Sequence, residues 1–281
     1  MREKTNLYKI VRKRELAPHI NLFEFAAEEV AAKAKPGQFV ILRIDEEGER
    51  VPLTIAHADV VKGTITVACH EVGKTTRKLG RLRENDHIQD LLGPLGKPAK
   101  IEKFGTILCV GGGVMTAPLH FQAKAFREAG NTIIGVIGAR TENQLIFEDE
   151  MREVCDELHV ATDDGTKGYK GLDFLKDLLK GKKIDRVIVM GPIATLKTVS
   201  ELTRPHGIPT NVNLIPIMVD GMGMCGACRV TVAGKTMFAC VDGPDFDGHQ
   251  VDFEELMARL KMYTPQEKLA FVFHEEGGMG R

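Results

Sequence analysis

Thr106-Ile107-Leu108-Cys109-Val110 runs directly into Gly111-Gly112-Gly113, and Val114-Met115-Thr116-Ala117-Pro118 follows. An uncharged apolar run of this length, closed by glycines, reads as a strand buried on both faces. From Pro118 to Ala129 the apolar residues recur at helical spacing, and Gly130 ends the pattern. The segment is therefore a strand, a glycine turn and the start of a helix. Glycines let a pyrophosphate approach the backbone, and the helix N-terminus favours its negative charge. Gly111, Gly112, Gly113 and Thr116 are candidate contacts. A glycine triplet alone also suits a purely structural turn. The strand before it and the helix after it favour the nucleotide site.

The same rhythm continues downstream. Thr132–Gly138 is an apolar strand, Phe147–Cys155 a helix, and Glu157–Thr162 a strand. Leu172–Leu179 is a helix ending at Gly181. Arg186–Met190 is a strand that stops at Gly191-Pro192, and Thr195–Leu202 is a helix. Strands alternating with helices imply a parallel sheet covered on both faces. Ligands of such sheets sit at the carboxyl ends of the strands. Gly191-Pro192, Gly138-Ala139-Arg140 and Ala161-Thr162-Asp163-Asp164-Gly165 all fall there. Arg140 suits a 2′-phosphate, whereas Asp163 or Glu142 suits a ribose hydroxyl, so both NAD(H) and NADP(H) stay open. A solvated loop accounts for Arg140 and Asp163 equally well.

Upstream, residues 1–98 read as β structure. Gln38–Ile44, Val51–Ile55 and Lys62–Cys69 are short β-branched runs. Pro36-Gly37 opens one of them, and Val61-Lys62-Gly63-Thr64 forms a tight turn. Strands of this length and spacing suggest a small barrel. Arg50-Val51-Pro52-Leu53-Thr54 places a cation and a hydroxyl close together on one strand. Glu71-Val72-Gly73-Lys74-Thr75-Thr76 is a Gly/Thr turn before a helix, able to hold a diphosphate through hydroxyl and backbone N–H groups. A surface turn or a salt bridge explains either stretch as well. Gly93-Pro94-Leu95-Gly96-Lys97-Pro98 closes this unit.

After about Thr210 the alternation ends, and residues 217–243 are rich in Gly, Met and Cys. Asp220-Gly221-Met222-Gly223-Met224-Cys225-Gly226-Ala227-Cys228 is followed by Cys240. Soft thiolates hold iron, and Gly221, Gly223 and Gly226 let a loop wrap a cluster closely. The plant-type [2Fe–2S] spacing is matched if Asp220 stands in the first cysteine position. A structural zinc site on Cys225, Cys228, Cys240 and His249 or an aspartate is the competing arrangement, and a [4Fe–4S] cluster is a further one. Val251–Met262 reads as an amphipathic helix and the tail from Tyr263 as irregular. Cys69, Cys109 and Cys155 are scattered among apolar neighbours and read as buried free thiols.

The 281 residues carry 38 Lys and Arg against 39 Asp and Glu, for a formal charge of -1. No basic excess is available to hold a nucleic acid backbone. No apolar run is long enough for a bilayer, and the N-terminal stretch lacks the apolar core of a signal peptide. The expectation is a cytoplasmic protein without a membrane or nucleic acid partner. Its architecture is a β barrel, then an α/β parallel-sheet nucleotide-binding domain, then a small C-terminal cluster loop. The boundaries fall at residues 1–98, 99–212 and 213–281.

Taken together these segments resemble the ferredoxin–NADP reductase superfamily along essentially the whole chain. Arg50-Val51-Pro52-Leu53-Thr54 resembles that family's flavin motif. The resemblance implies Arg50 on the FAD diphosphate and Thr54 beside flavin N5, where hydride is exchanged with nicotinamide C4. Gly73-Lys74-Thr75-Thr76 resembles its phosphate turn, and Gly111-Gly112-Gly113 and Gly191-Pro192 its nicotinamide nucleotide motifs. Met115 departs from the family, which commonly has glycine there. The added cluster loop resembles the electron-transfer subunits of dihydroorotate dehydrogenase. It resembles still more the small subunits of bifurcating NADH-dependent ferredoxin:NADP oxidoreductases, in which an aspartate takes the first ligand position. By this resemblance the chain holds FAD, a [2Fe–2S] cluster on Asp220, Cys225, Cys228 and Cys240, and NAD(H). It would join a larger flavin and [4Fe–4S] subunit that uses ferredoxin and NADP(H), with the tail after Val251 near that partner. The pyrimidine-pathway subunit and the reductase subunit of a cytoplasmic hydrogenase share the same parts. A non-catalytic zinc-binding interaction module is the alternative from another class.

Overall fold

A computed structural model of the chain describes residues 8–270. The N-terminal part is a sheet of β1 (Tyr8–Ala17), β2 (Ile20–Ala26), β3 (Phe39–Arg43), β4 (Val51–Asp59), β5 (Thr64–His70), β6 (His87–Ile88) and β7 (Asp90–Leu95). Helices α1 (Glu28–Ala31) and α2 (Lys74–Arg81) are inserted between strands. The strand order is β6-β1-β2-β5-β4-β3-β7, and each pairing is antiparallel. Only Gln89 separates the first and last strands of that order, so the two edges of the sheet adjoin and the barrel nearly closes. Phe23, Phe25, Leu42, Ile55, Ile65 and Val67 fill its interior. Full burial of such side chains contributes about 1.5–3 kcal/mol each.

The second sheet contains β8 (Thr106–Gly112), β9 (Thr132–Ala139), β10 (Glu157–Thr162), β11 (Tyr169–Lys170), β12 (Arg186–Met190) and β13 (Thr210–Asn213). Its helices are α3 (Thr116–Glu128), α4 (Glu148–Val154), α5 (Leu175–Gly181) and α6 (Ile193–Thr203). The order β11-β10-β9-β8-β12-β13 is parallel throughout and reverses direction between β8 and β12. That reversal opens a crevice at the carboxyl ends of β8 and β12. In β8 every residue from Ile107 to Gly112 is buried, as a strand sandwiched between helices requires.

The C-terminal segment adds a hairpin of β14 (Arg229–Val232) and β15 (Lys235–Phe238), the strand β16 (Asp245–Asp247) and α7 (Phe253–Leu260). Strand β16 pairs antiparallel with β13 and extends the second sheet. Buried Gln122 of α3 and buried Asn213 of β13 meet the half-buried Asp245 of β16 in a polar junction. Asp245 accepts from Asn213 Nδ2 at 2.6 Å and from Gln122 Nε2 at 3.2 Å.

The expected helices and strands are present, with shifted ends. The helix expected from Leu172 starts at Leu175, and the one expected over Val251–Met262 spans Phe253–Leu260. The tail read as irregular is helical at residues 264–270, and the rest of it lies outside the described residues. Among the described residues no helix is long and apolar enough to cross a membrane.

Candidate functional site

The crevice between β8 and β12 is a cavity of about 910 Å³. Gly111, Gly112, Gly113, Gly191 and Pro192 line it, as do Arg140 and Asp163 from the ends of β9 and β10. The two glycine turns touch. A Cβ on Gly191 would lie 3.2 Å from the N and Cα of Gly112, and a Cβ on Gly112 would lie 2.9 Å from Pro192 Cδ. Gly113 has φ +56, and a Cβ there would meet open space on the cavity side. The N-termini of α3 and α6 both open on this crevice, and neither helix has an acidic residue in its first turn. An anion is favoured at such a place. Thr116 is buried at the start of α3 and packs against Gly111. Met115 adopts right-handed helical angles, and its side chain packs on the apolar cluster behind β8, so this turn does not require the family's glycine. Glu142 pairs with Lys167 at 3.9 Å instead of lining the cavity.

On the barrel, Arg50, Pro52 and Thr54 share one side of the strand by its two-residue period. Thr54 pairs with Phe39 across β3 and is 5% exposed. Its hydroxyl oxygen is buried with no hydrogen-bond partner. A buried hydroxyl without a partner costs about 1–3 kcal/mol, so one facing a void suits a ligand atom. Thr54 does face a narrow void, shared with Phe39, Pro52, Ile215, Met218 and Pro244. Arg50 is exposed at the mouth of a separate cavity of about 490 Å³ beside β3 and β7. Val51 and Leu53 are half-buried and pack on the barrel core. The turn before α2 takes the expected form. Gly73 N–H donates to Thr76 Oγ1 at 2.9 Å, and the Thr76 hydroxyl donates back to Gly73 O at 3.1 Å. Thr75 donates its hydroxyl to Glu49, which draws this Gly/Thr turn against the residue preceding Arg50.

The third element is the cysteine loop. Gly221, Gly223 and Gly226 all have positive φ, at 73°, 82° and 67°. A Cβ on Gly221 would lie 2.6 Å from Ile41 Cδ1 and 2.8 Å from Leu95 Cδ1, so the loop is seated on barrel strands β3 and β7. The sulfurs of Cys228 and Cys240 lie 3.2 Å apart and are buried, whereas Cys225 is exposed. Burial, with Cys228 beside it, pushes the Cys240 thiol up to about 12, so metal binding there must displace a proton. Asp220 accepts the N–H groups of Met222 at 2.9 Å, Met224 at 3.0 Å and Cys225 at 2.7 Å. These bonds, that of Met222 foremost, hold its carboxyl below the usual range. The carboxylate thus shapes the loop that carries Cys225. His249 points elsewhere: its Nε2 lies 2.9 Å from Thr203 Oγ1 against α6. This removes it from the zinc arrangement considered for the loop.

Three residues absent from the sequence reading join these parts. Ile215 borders both the nucleotide crevice and the Thr54 void, Met218 borders the void, and Met218 lies two residues before Asp220. Ile215 lies two residues past the end of β13, so its place beyond a strand end was the available signal. His70 enters the crevice from the barrel, and no spacing in the sequence marks it.

Residues 216–252 match the iron-sulfur cluster binding domain of dihydroorotate dehydrogenase B. A dihydroorotate dehydrogenase B electron-transfer subunit homologue from Thermotoga maritima is 47% identical over 269 residues, covering 95% of each chain. A probable electron-transfer subunit of the same enzyme from Methanocaldococcus jannaschii is 33% identical, covering 84% of this chain and 88% of its own. Among solved structures, a chain of the NADH-dependent reduced ferredoxin–NADP oxidoreductase, described for flavin-based electron bifurcation, is 46% identical. It covers 96% of this chain and 98% of its own, with a TM-score of 0.90. Phthalate dioxygenase reductase, at 16% identity and a TM-score of 0.59, shares the fold. Relatives this similar over nearly the full length of both chains place the protein in the family of dihydroorotate dehydrogenase B electron-transfer subunits and their homologues.

Proposed function

We propose that the chain is the electron-transfer subunit of an NADH-dependent reduced ferredoxin:NADP oxidoreductase, holding FAD, a [2Fe–2S] cluster and NAD(H). The observation that carries this reading is the continuity of three places. The nucleotide crevice, the Thr54 void and the Asp220 loop are joined through Ile215 and Met218. A bound FAD supplies the conversion between the two-electron chemistry of a nicotinamide and the one-electron chemistry of an iron–sulfur cluster.

The residues fit that group. Thr54 offers an unpartnered buried hydroxyl beside a narrow void that must widen to admit a ligand atom. Arg50 and the turn at Gly73, Thr75 and Thr76 offer charge and hydrogen bonds for a diphosphate. Glu49, bonded to Thr75, would have to share or yield that hydroxyl. The glycine pair Gly112 and Gly191 gives a nicotinamide dinucleotide close backbone approach. Cys225, Cys228 and Cys240 supply thiolates, and Asp220 either completes the ligand set or holds the loop that presents Cys225. Val219, Met222, Met224 and Val241 are exposed around this loop. Such an apolar rim suits a partner subunit, for which the reading takes a larger flavin and [4Fe–4S] protein. A cytoplasmic location accords with this role.

Titrating the protein, purified without oxygen, with NADH and separately with NADPH tests the proposal. Bleaching of a flavin band by NADH, followed by a reduced-cluster paramagnetic signal, is expected. Equal reduction by NADPH would refute the NAD(H) assignment, and no bleaching by either would refute the function. A dihydroorotate-oxidising partner is the second reading, favoured by the family match at residues 216–252. Co-purification of the native complex separates the two.

A further inference from the structure

The nucleotide crevice has two walls. The nucleotide domain supplies the glycine turns, Arg140 and Asp163, whereas the barrel supplies only Ile20, His70 and Val72. Two of these three are aliphatic, and His70 is thus the one polar side chain on the barrel wall among the described residues. Neither His70 nor Arg140 has a hydrogen-bond or ion-pair partner for its side chain among the described residues. Their positions at the ends of β5 and β9 set them on opposite sides of the same cavity, with the helix N-termini of α3 and α6 on its floor.

We infer that His70 and Arg140 together clamp a phosphate group of a bound dinucleotide, with His70 completing the phosphate site from the barrel side. The inference rests on the proposed FAD and NAD(H) function and adds a recognition residue to it. A phosphate oxygen between a guanidinium and an imidazole accepts from both, and the bond is stronger when the imidazole is charged.

The surroundings of His70 agree. Burial lowers its proton affinity, as do the Arg140 charge and His19, while Glu71 opposes them. Glu71 is itself engaged by Asn21 Nδ2 at 2.7 Å and lies 3.7 Å from His19 Nδ1. Asp163 is the other charged group on the cavity. Burial and the Arg140 charge therefore favour the neutral form of His70, and an incoming phosphate favours the charged form. Binding then takes up a proton, and affinity falls as pH rises.

The phosphate belongs either to the nicotinamide nucleotide or to FAD, and one experiment distinguishes them. ADP-ribose carries the diphosphate without the nicotinamide. It is titrated into the full-length protein at about pH 6 and about pH 8, with the FAD content measured on the same samples. In the native protein ADP-ribose should bind about tenfold more tightly at the lower pH. His70→Gln should remove that difference and weaken binding about tenfold at the lower pH, while Arg140→Gln weakens it at both. If the clamped group is the FAD diphosphate, His70→Gln instead releases FAD and leaves ADP-ribose binding unchanged. His70→Gln with native FAD content and native ADP-ribose affinity at both pH values overturns the clamp. A native protein that binds neither flavin nor ADP-ribose overturns the proposed function itself, and the clamp with it.

Discussion

Gly112 and Gly191 meet backbone to backbone across the sheet reversal, with only 3.2 Å between the Gly112 Cα and the place a Gly191 Cβ would occupy. Either glycine replaced by alanine must push the two turns apart. Overpacking of this kind costs roughly 1–3 kcal/mol. Gly112→Ala and Gly191→Ala are expected to weaken NADH binding at least about tenfold while leaving the FAD content unchanged, since the barrel is not touched. Isothermal titration with flavin analysis of the same samples checks this.

Thr54→Val separates folding from cofactor binding. Its hydroxyl is buried without a partner, so removing it should leave the cofactor-free protein as stable as before, or more stable by about 1 kcal/mol. If Thr54 meets FAD as proposed, the same change would remove a hydrogen bond to the bound flavin. Flavin reduction by NADH should slow by about tenfold or more. Melting curves without cofactor and stopped-flow traces with it are the two measurements. A large loss of stability in the cofactor-free protein would contradict the assignment.

Asp245 gives the stability a pH signature. Its burial, opposed by the Asn213 and Gln122 bonds, raises its pKa to about 6 from 3.8. A raised folded-state value means the folded form binds the proton more tightly. The stabilisation is then full below about 3.8 and is lost as pH rises through about 6, on the order of 2–3 kcal/mol. Asp245→Asn keeps an acceptor and adds donors near the unpartnered amide oxygens of Gln122 and Asn213. It should remove that slope and raise the melting temperature near pH 8. Thermal scans between about pH 4 and 8 read both effects.

The cluster assignment predicts unequal effects from two neighbouring residue types. Cys228→Ser and Cys240→Ser should each lower bound iron sharply, because both sulfurs face one point. His249→Ala should leave iron in place and lower stability by about 1 kcal/mol through the lost Thr203 bond. Iron analysis of the three variants, with melting temperatures, tests this.

The parallel sheet was legible because its strands are continuous apolar runs ended by glycine, as at Thr106–Gly113 and Arg186–Pro192. The β1–β2 hairpin was harder to see. Strand β1 carries five charged residues, faces solvent along much of its length, and is broken by register shifts near Ile10 and Glu15, so its alternation is interrupted. Asp245 lay in an acidic, glycine-rich stretch that reads as loop, and only its pairing with β13 buries it. His70 stands alone between Cys69 and Glu71, and its role depends on a wall that the chain forms some 40 residues further on. Asp220 was legible by spacing, but its three backbone partners are visible only once the glycines have turned the loop.

The most direct test of a flavin and iron–sulfur relay in one chain is the visible spectrum and metal content of protein purified without oxygen, alongside Asp220→Ala and Asp220→Cys. The account predicts a flavin band with two irons per chain, a weakened cluster signal in the alanine variant and an altered one in the cysteine variant. Zinc in place of iron, with no flavin, would contradict it.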